Sequence, residues 1–180
     1  DENNPTQSSL PKSYKLELIG NVWYCEGYTG NSSATDVIDI KIEEMQQRLV
    51  ISKCSGCVIR VDGKCTAISI EQVSRAGILL QSPIVSTLEL LNTKKLQVQL
   101  QASCPTVTID NCEGIQVFLA KGVEELFELL TCQCSEINLY KQDSKDDGEF
   151  SAEIPVPVQF KSFFDEKGKL QTEPVKHAGA

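Results

Sequence analysis

The chain is poor in the residues from which hydrolytic sites and membrane spans are built. Its 180 residues hold one His, one Trp and one Met, and aromatic residues make up only 6%. The single His, His177, stands in the last four residues. A Ser-His-Asp arrangement needs an imidazole fixed against its nucleophile, so no such triad is expected. No apolar run approaches the roughly twenty residues of a membrane-spanning helix. No basic-then-apolar segment opens the chain as a secretory signal would. Cations are in the minority, with 17 Lys and Arg against 25 Asp and Glu, for a net charge of −8. That balance excludes sequence-independent attraction to nucleic acid, and an anionic membrane surface would repel it. Residue 1 is Asp rather than Met, which points to a processed chain or an excised fragment.

What the chain has in abundance is Leu, Ile and Val in short runs. Leu49–Ile51, Val58–Val61, Ile68–Ile70, Ile78–Leu80 and Leu88–Leu91 follow one another about every ten residues. Leu96–Leu100, Val107–Ile109, Ile115–Leu119, Leu126–Leu130 and Ile137–Leu139 continue the series. Inside most of them apolar and polar residues alternate, as in Leu96-Gln97-Val98-Gln99-Leu100, which is the pattern of a half-buried strand. Two strands and two corners make a unit of roughly twenty residues, the length of one solenoid coil. The reading is an all-β fold with an aliphatic column inside and flat faces outside. Such faces suit protein binding better than small-molecule chemistry.

Corner chemistry agrees. Val61-Asp62-Gly63-Lys64 is a turn signal, and Asn92-Thr93, Asp110-Asn111 and Ser74-Arg75-Ala76-Gly77 fall at other corners. Val123, Leu126, Phe127 and Leu130 have helical spacing, but the ten-residue rhythm resumes at Ile137, so this segment is read as strand.

The eight cysteines, Cys25, Cys54, Cys57, Cys65, Cys104, Cys112, Cys132 and Cys134, admit two readings. An even count and the sequon Asn31-Ser32-Ser33 fit a disulfide-bonded secreted domain. Their placement in and beside the strand runs fits reduced thiols packed as small hydrophobes, and that reading is favoured. Cys54-Ser55-Gly56-Cys57 has the spacing of half a zinc site or of a redox pair. No second pair with suitable spacing accompanies it, so it reads as a turn between coils, and no metal or cofactor is expected.

Residues 1–13 are polar and patternless and are expected to be disordered. Residues 14–152 form the solenoid, opened by a strand-like cap from Tyr14 to Cys25 that carries Trp23, and followed at Lys141–Glu149 by a charged loop. Residues 153–180 change in texture. Prolines in Ile154-Pro155-Val156-Pro157-Val158 exclude a helix and a central strand. Asp165-Glu166-Lys167-Gly168 is a turn between two further strands. A hairpin this rich in aromatics does not stand alone in water, and Val156, Val158, Phe160, Phe163, Phe164 and Leu170 are the residues expected to bury it, against its own solenoid or that of another subunit.

The chain resembles the carboxy-terminal domain of the cyclase-associated proteins, regulators of actin monomers. The matching stretches are Leu16-Glu17-Leu18-Ile19-Gly20-Asn21-Val22-Trp23, Lys53-Cys54 with Ile59-Arg60-Val61-Asp62-Gly63-Lys64, and Leu88 to Gln99 through Asn92-Thr93-Lys94-Lys95. Ser135-Glu136-Ile137-Asn138-Leu139 and Val156-Pro157-Val158-Gln159-Phe160-Lys161 complete them. The resemblance implies a right-handed parallel β-helix, here of about five to six coils, that dimerises by swapping its terminal hairpin. It also implies a cytoplasmic protein that binds actin monomers, preferably in the ADP form, and sequesters them or promotes nucleotide exchange. Short family forms of this kind resemble those of apicomplexan parasites.

Actin is acidic, so contacts must come from local basic or neutral groups rather than from global charge. Lys94 and Lys95 at a corner, Gln97 and Gln99 on the next strand, and Lys121 at what reads as the corresponding corner one coil later make the candidate patch. The tail, Lys176, His177, Ala178, Gly179 and Ala180, resembles the family's end segment, which also takes part in binding actin. The rival reading is a GTPase-activating β-helix of the tubulin-folding cofactor C type, which needs an exposed arginine finger. Only Arg48, Arg60 and Arg75 are available, and Arg75 does not stand in that family's compact Gln-x-Arg pattern. A carbohydrate-active β-helix would need paired carboxylates across a cleft, whereas Glu43-Glu44 and Asp146-Asp147 are adjacent and diverge on a strand. The chain is therefore read as a binding protein and not an enzyme.

Overall fold

The computed structural model describes residues 14–30, 36–143 and 148–176. The expectations for residues 1–13, the Asn31 sequon and the Asp146-Asp147 pair fall outside these.

Strands run through the chain in close succession: β1 Lys15–Ile19, β2 Val22–Glu26, β3 Asp36–Lys41, β4 Arg48–Ser52, β5 Cys57–Asp62, β6 Cys65–Glu71, β7 Ser74–Leu80 and β8 Ile84–Leu91. They continue with β9 Lys94–Leu100, β10 Thr106–Asp110, β11 Glu113–Leu119, β12 Glu128–Cys132, β13 Ser135–Lys141, β14 Ile154–Pro155, β15 Phe160–Phe164 and β16 Leu170–Pro174. From β2 onward the even-numbered strands through β12 build one face and the odd-numbered strands β3 to β13 the other. All these neighbours pair in parallel. The result is the solenoid of about five turns. β1 closes its beginning as an antiparallel strand on β2, and β14 adds antiparallel to β13 at its end.

The period-two pattern explains which side chains point inward. On β9, Leu96, Val98 and Leu100 are buried while Lys95 and Gln97 are exposed. Register then stacks like on like: Ile38, Ile59, Ile78, Val98 and Val117 form one column, and Leu49, Ile68, Leu88 and Val107 form the column facing it. Fully burying each such side chain contributes about 1.5–3 kcal/mol.

Each turn bends at the same place by the same means. Lys53, Gln72, Asn92, Asn111 and Gln133 follow successive strands of the first face, all with left-handed backbone. Three residues on, Gly56, Arg75, Lys95, Gly114 and Glu136 are left-handed again. Between them a small side chain enters the core: Cys54, Val73, Thr93, Cys112 and the half-buried Cys134. The thiol of Cys112 donates to the carbonyls of Asp110 (3.2 Å) and Leu90 (3.5 Å), and that of Cys134 to Cys132 (3.0 Å) and Ile109 (3.2 Å). All eight cysteines carry free thiols; Cys25, Cys54, Cys57, Cys65, Cys104 and Cys112 are packed in the core as expected, whereas Cys134 is half-buried and Cys132 is exposed, and Cys54 to Gly56 is a corner like the others. Among the described residues no group of three or more His, Cys, Asp or Glu is placed to hold a metal ion, and no helix is long and apolar enough to cross a membrane.

One segment departs from expectation. Val123–Leu126 is a turn of 3-10 helix rather than strand, and β12 begins only at Glu128. The cause is local: Gly122 is left-handed (φ 89°), its N–H donates to the Glu124 carboxylate at 2.8 Å, and Val123 drops into the core. The helical turn covers Val123–Leu126 alone, and from Glu128 through Leu130 the segment is strand as expected.

Candidate functional site

The outward residues of the second face stand in two columns. Register aligns Val37, Val58, Gly77, Gln97, Gln116 and Asn138 in one, and Asp39, Arg60, Leu79, Gln99, Phe118 and Tyr140 in the other. The first is tied by Gln97 Nε2 donating to Gln116 Oε1 (2.9 Å). The second is tied by a forked Arg60–Asp39 pair (2.7 and 2.9 Å) and by Phe118 stacked on Tyr140, ring centroids 4.5 Å apart. Phe150 meets the Phe118 ring edge-on at 5.2 Å, and the Tyr140 hydroxyl donates to Glu153 at 3.0 Å, so the segment before β14 braces this column. Burial, with that hydrogen bond, raises the Tyr140 pKa and keeps the phenol neutral. The Arg60 guanidinium beside Asp39 holds that carboxyl below its usual range.

The candidate residues divide on this frame. Gln97 and Gln99 project from β9 onto the two columns, as expected. Lys94 and Lys95 stand at the corner where β9 begins, both exposed, and Lys94 Nζ lies 3.8 Å from Glu113. Lys121 does not join them. The positions stacked on Lys94 and Lys95 one turn later are Glu113 and Gly114. Lys121 follows Leu119 at the far end of β11, about 20 Å along the strands. The expected single patch is therefore a corner and a strand face, with Lys121 at the opposite rim. Residue spacing misaligned the corners because Lys95 stands where a strand of the second face begins and Lys121 just after one ends, and distance along the chain does not distinguish the two ends of a strand. Gln116, Phe118 and Tyr140 were missed, although the 19-residue step from Gln97 to Gln116 would have found the first.

Lys176 is exposed just after Val175, whose N–H donates to the Gln159 carbonyl at 2.9 Å. His177, Ala178, Gly179 and Ala180 lie outside the described residues.

The terminal hairpin forms a sheet of its own, pairing β15 only with β16. Phe160, Phe164 and Leu170 share one side of it and are 57%, 72% and 59% exposed. Phe163 projects from the other side near the Lys161 ammonium, and Val158 is exposed before β15 begins. Val156 behaves differently: its N–H donates to the Ile137 carbonyl (2.9 Å) and its side chain packs on the solenoid core. Among the described residues β12, last on the first face, has no strand beyond it, whereas β13 is covered by β14.

A stacked solenoid with this closing hairpin is a specific arrangement. The sequence profile described as "Adenylate cyclase associated (CAP) C terminal" matches residues 12–177. The chain belongs to that family. It is 33% identical over 169 residues to Cyclase-associated protein 1 of Arabidopsis thaliana, covering 92% of this chain and 33% of that protein. Adenylyl cyclase-associated protein 2 of Homo sapiens is 30% identical over 185 residues, covering 96% and 36%. The chain thus spans about a third of the length of the curated relatives it matches. Its fold is that of the crystal structure of Cyclase-Associated Protein from Cryptosporidium parvum, with a TM-score of 0.81, 22% identity, and coverage of 91% and 96%. The CAP match gives no support to a GTPase-activating reading, and of the three arginines weighed for it Arg60 is already engaged by Asp39.

Proposed function

We propose that this CAP domain is an actin-monomer-binding regulator of actin dynamics that acts in the cytoplasm as a homodimer. The observation that carries the reading is the family match over residues 12–177. It is supported by the β9, β11 and β13 part of the second face, where the two outward columns hold Gln, Asn and aromatic side chains, able to meet an acidic partner without repulsion. Lys94, Lys95, Gln97 and Gln99 make the primary contact, with the tail from Lys176 as a second one. Lys121 contributes, if at all, from the opposite rim.

The mode of action is binding without chemistry. The domain holds ADP-actin more tightly than ATP-actin and favours an actin conformer with an open nucleotide cleft. A preference of about 1.4 kcal/mol for that conformer raises its population tenfold when it is scarce. Equal affinity for both conformers would instead give sequestration alone.

The dimer forms by exchange of the hairpin. Phe160, Phe164 and Leu170 are too exposed to be left in water, and the unpaired edge of β12 offers backbone groups to another strand. Val158 and Phe163 add to the exchanged surface, while Val156 acts as the anchor that stays on its own solenoid. Nucleotide release from ADP-actin carrying a fluorescent nucleotide tests the function. Faster release with the domain present supports exchange, binding without faster release supports sequestration, and absence of binding removes the reading.

A further inference from the structure

The corner between the two faces holds two exposed cations on adjacent turns of an otherwise acidic chain. Its second left-handed position is filled turn by turn by Gly56, Arg75, Lys95, Gly114 and Glu136. Glycine tolerates this backbone freely, whereas a long side chain is disfavoured there. Two of the five positions hold Gly, yet the two adjacent ones between them hold Arg75 (φ 49°) and Lys95 (φ 53°). The register that sets Ser74 against Lys94 places Arg75 directly beneath Lys95. Both cations are exposed, and neither has a carboxylate partner among the described residues. Lys94 beside them is drawn to Glu113 at 3.8 Å. Two unpaired like charges on adjacent turns repel, so the folded domain alone gains nothing from the pair.

We infer that Arg75 and Lys95 form a two-turn cationic ridge that docks a carboxylate-rich segment of the actin monomer, with Lys94 as an accessory cation. The inference rests on the actin reading and deepens it: the acidic partner is met first at the corner, and the glutamine columns of the face follow. A protein rather than a membrane is the fitting partner, because the net charge of −8 opposes approach to an anionic bilayer while a narrow ridge suits a local acidic segment.

The test compares affinity for ADP-actin monomers among the wild-type domain, Arg75→Glu, Lys95→Glu and Lys64→Glu. Lys64 is exposed in a different corner, so its reversal changes net charge equally without touching the ridge. The ridge reversals should each weaken binding roughly tenfold and flatten its salt dependence, leaving Lys64→Glu at wild-type affinity. An equal loss in all three, or no loss at the ridge, overturns the inference while leaving the actin reading standing. Failure of the wild-type domain to bind overturns both. Arg75→Gly with Lys95→Gly separates folding from binding: this variant should melt at or above the wild-type temperature and still lose affinity. If it binds as wild type, the ridge is not the contact. Ridge-dependent capture on phosphatidylserine vesicles, with actin affinity unchanged, would also overturn it.

Discussion

Gln97 and Gln116, 19 residues apart in sequence, are vertical neighbours joined by an amide-to-amide hydrogen bond of 2.9 Å. The Asn111 amide likewise donates to Asn92 at 2.7 Å, again across 19 residues. These ladders tie adjacent turns together, and stacking converts a periodic sequence into a wall on which residues distant in sequence are neighbours. The outward face of this domain is therefore a property of register. A shift of one residue would turn every outward glutamine into the core and every Leu and Val into water.

Core and surface leucines should behave very differently when truncated. Leu88 is fully buried in the central column, and Leu126 is 79% exposed on the helical turn. Leu88→Ala should cost about 3 kcal/mol and Leu126→Ala no more than about 0.5 kcal/mol, measured by chemical denaturation.

Gly63 should not tolerate a side chain. Its φ is +101°, and a Cβ there would lie 2.0 Å from the Ile42 carbonyl oxygen. Its N–H also meets Ser82 Oγ and Asp62 Oδ1, both at 2.9 Å. Gly63→Ala should destabilise by about 3 kcal/mol, read from the denaturation midpoint.

Stability should fall in alkali. Burial pushes the Cys57, Cys65 and Cys104 thiols up to about 11 from the ordinary 9.0. Between those values the unfolded chain releases thiol protons that the folded chain retains. Each thiol then lowers stability by up to about 1.4 kcal/mol per pH unit. The contribution is intact below pH 9 and is lost as the pH rises towards 11. Denaturation curves from pH 8 to 11 should show the decline, and Cys104→Ala should make it shallower.

The hairpin should account for assembly. The intact domain should sediment as a dimer, and a chain ending at Ala152 as a monomer. If the two species have the same mass state, hairpin exchange is not how the domain dimerises.

Much of the fold was legible in the residues themselves. The alternation at Leu96 to Leu100 and the turn residues Asp62-Gly63 map directly onto β9 and a corner, because a two-residue period and a left-handed turn leave local marks. The segment at Val123 misled because its period is set by one helical turn that an otherwise regular solenoid inserts. The site was less legible than the core. Lys121 was grouped with Lys95 because spacing along the chain does not show which end of a strand a residue occupies. Arg75 was read as a corner residue and weighed as a catalytic finger but not as a binding group, since its position beneath Lys95 exists only once the turns are stacked. The aromatic column of Phe118 and Tyr140 likewise depends on register and on the later segment that brings Phe150 alongside.

The most direct measurement is hydrogen exchange of the domain with and without ADP-actin monomers. Protection should appear along the second face and its corner, at Arg75, Lys94 to Gln99 and Gln116 to Phe118, leaving the outward strand positions Thr87, Thr106 and Thr108 of the first face unchanged. Protection confined to the first face, or none anywhere on the solenoid, would contradict the account.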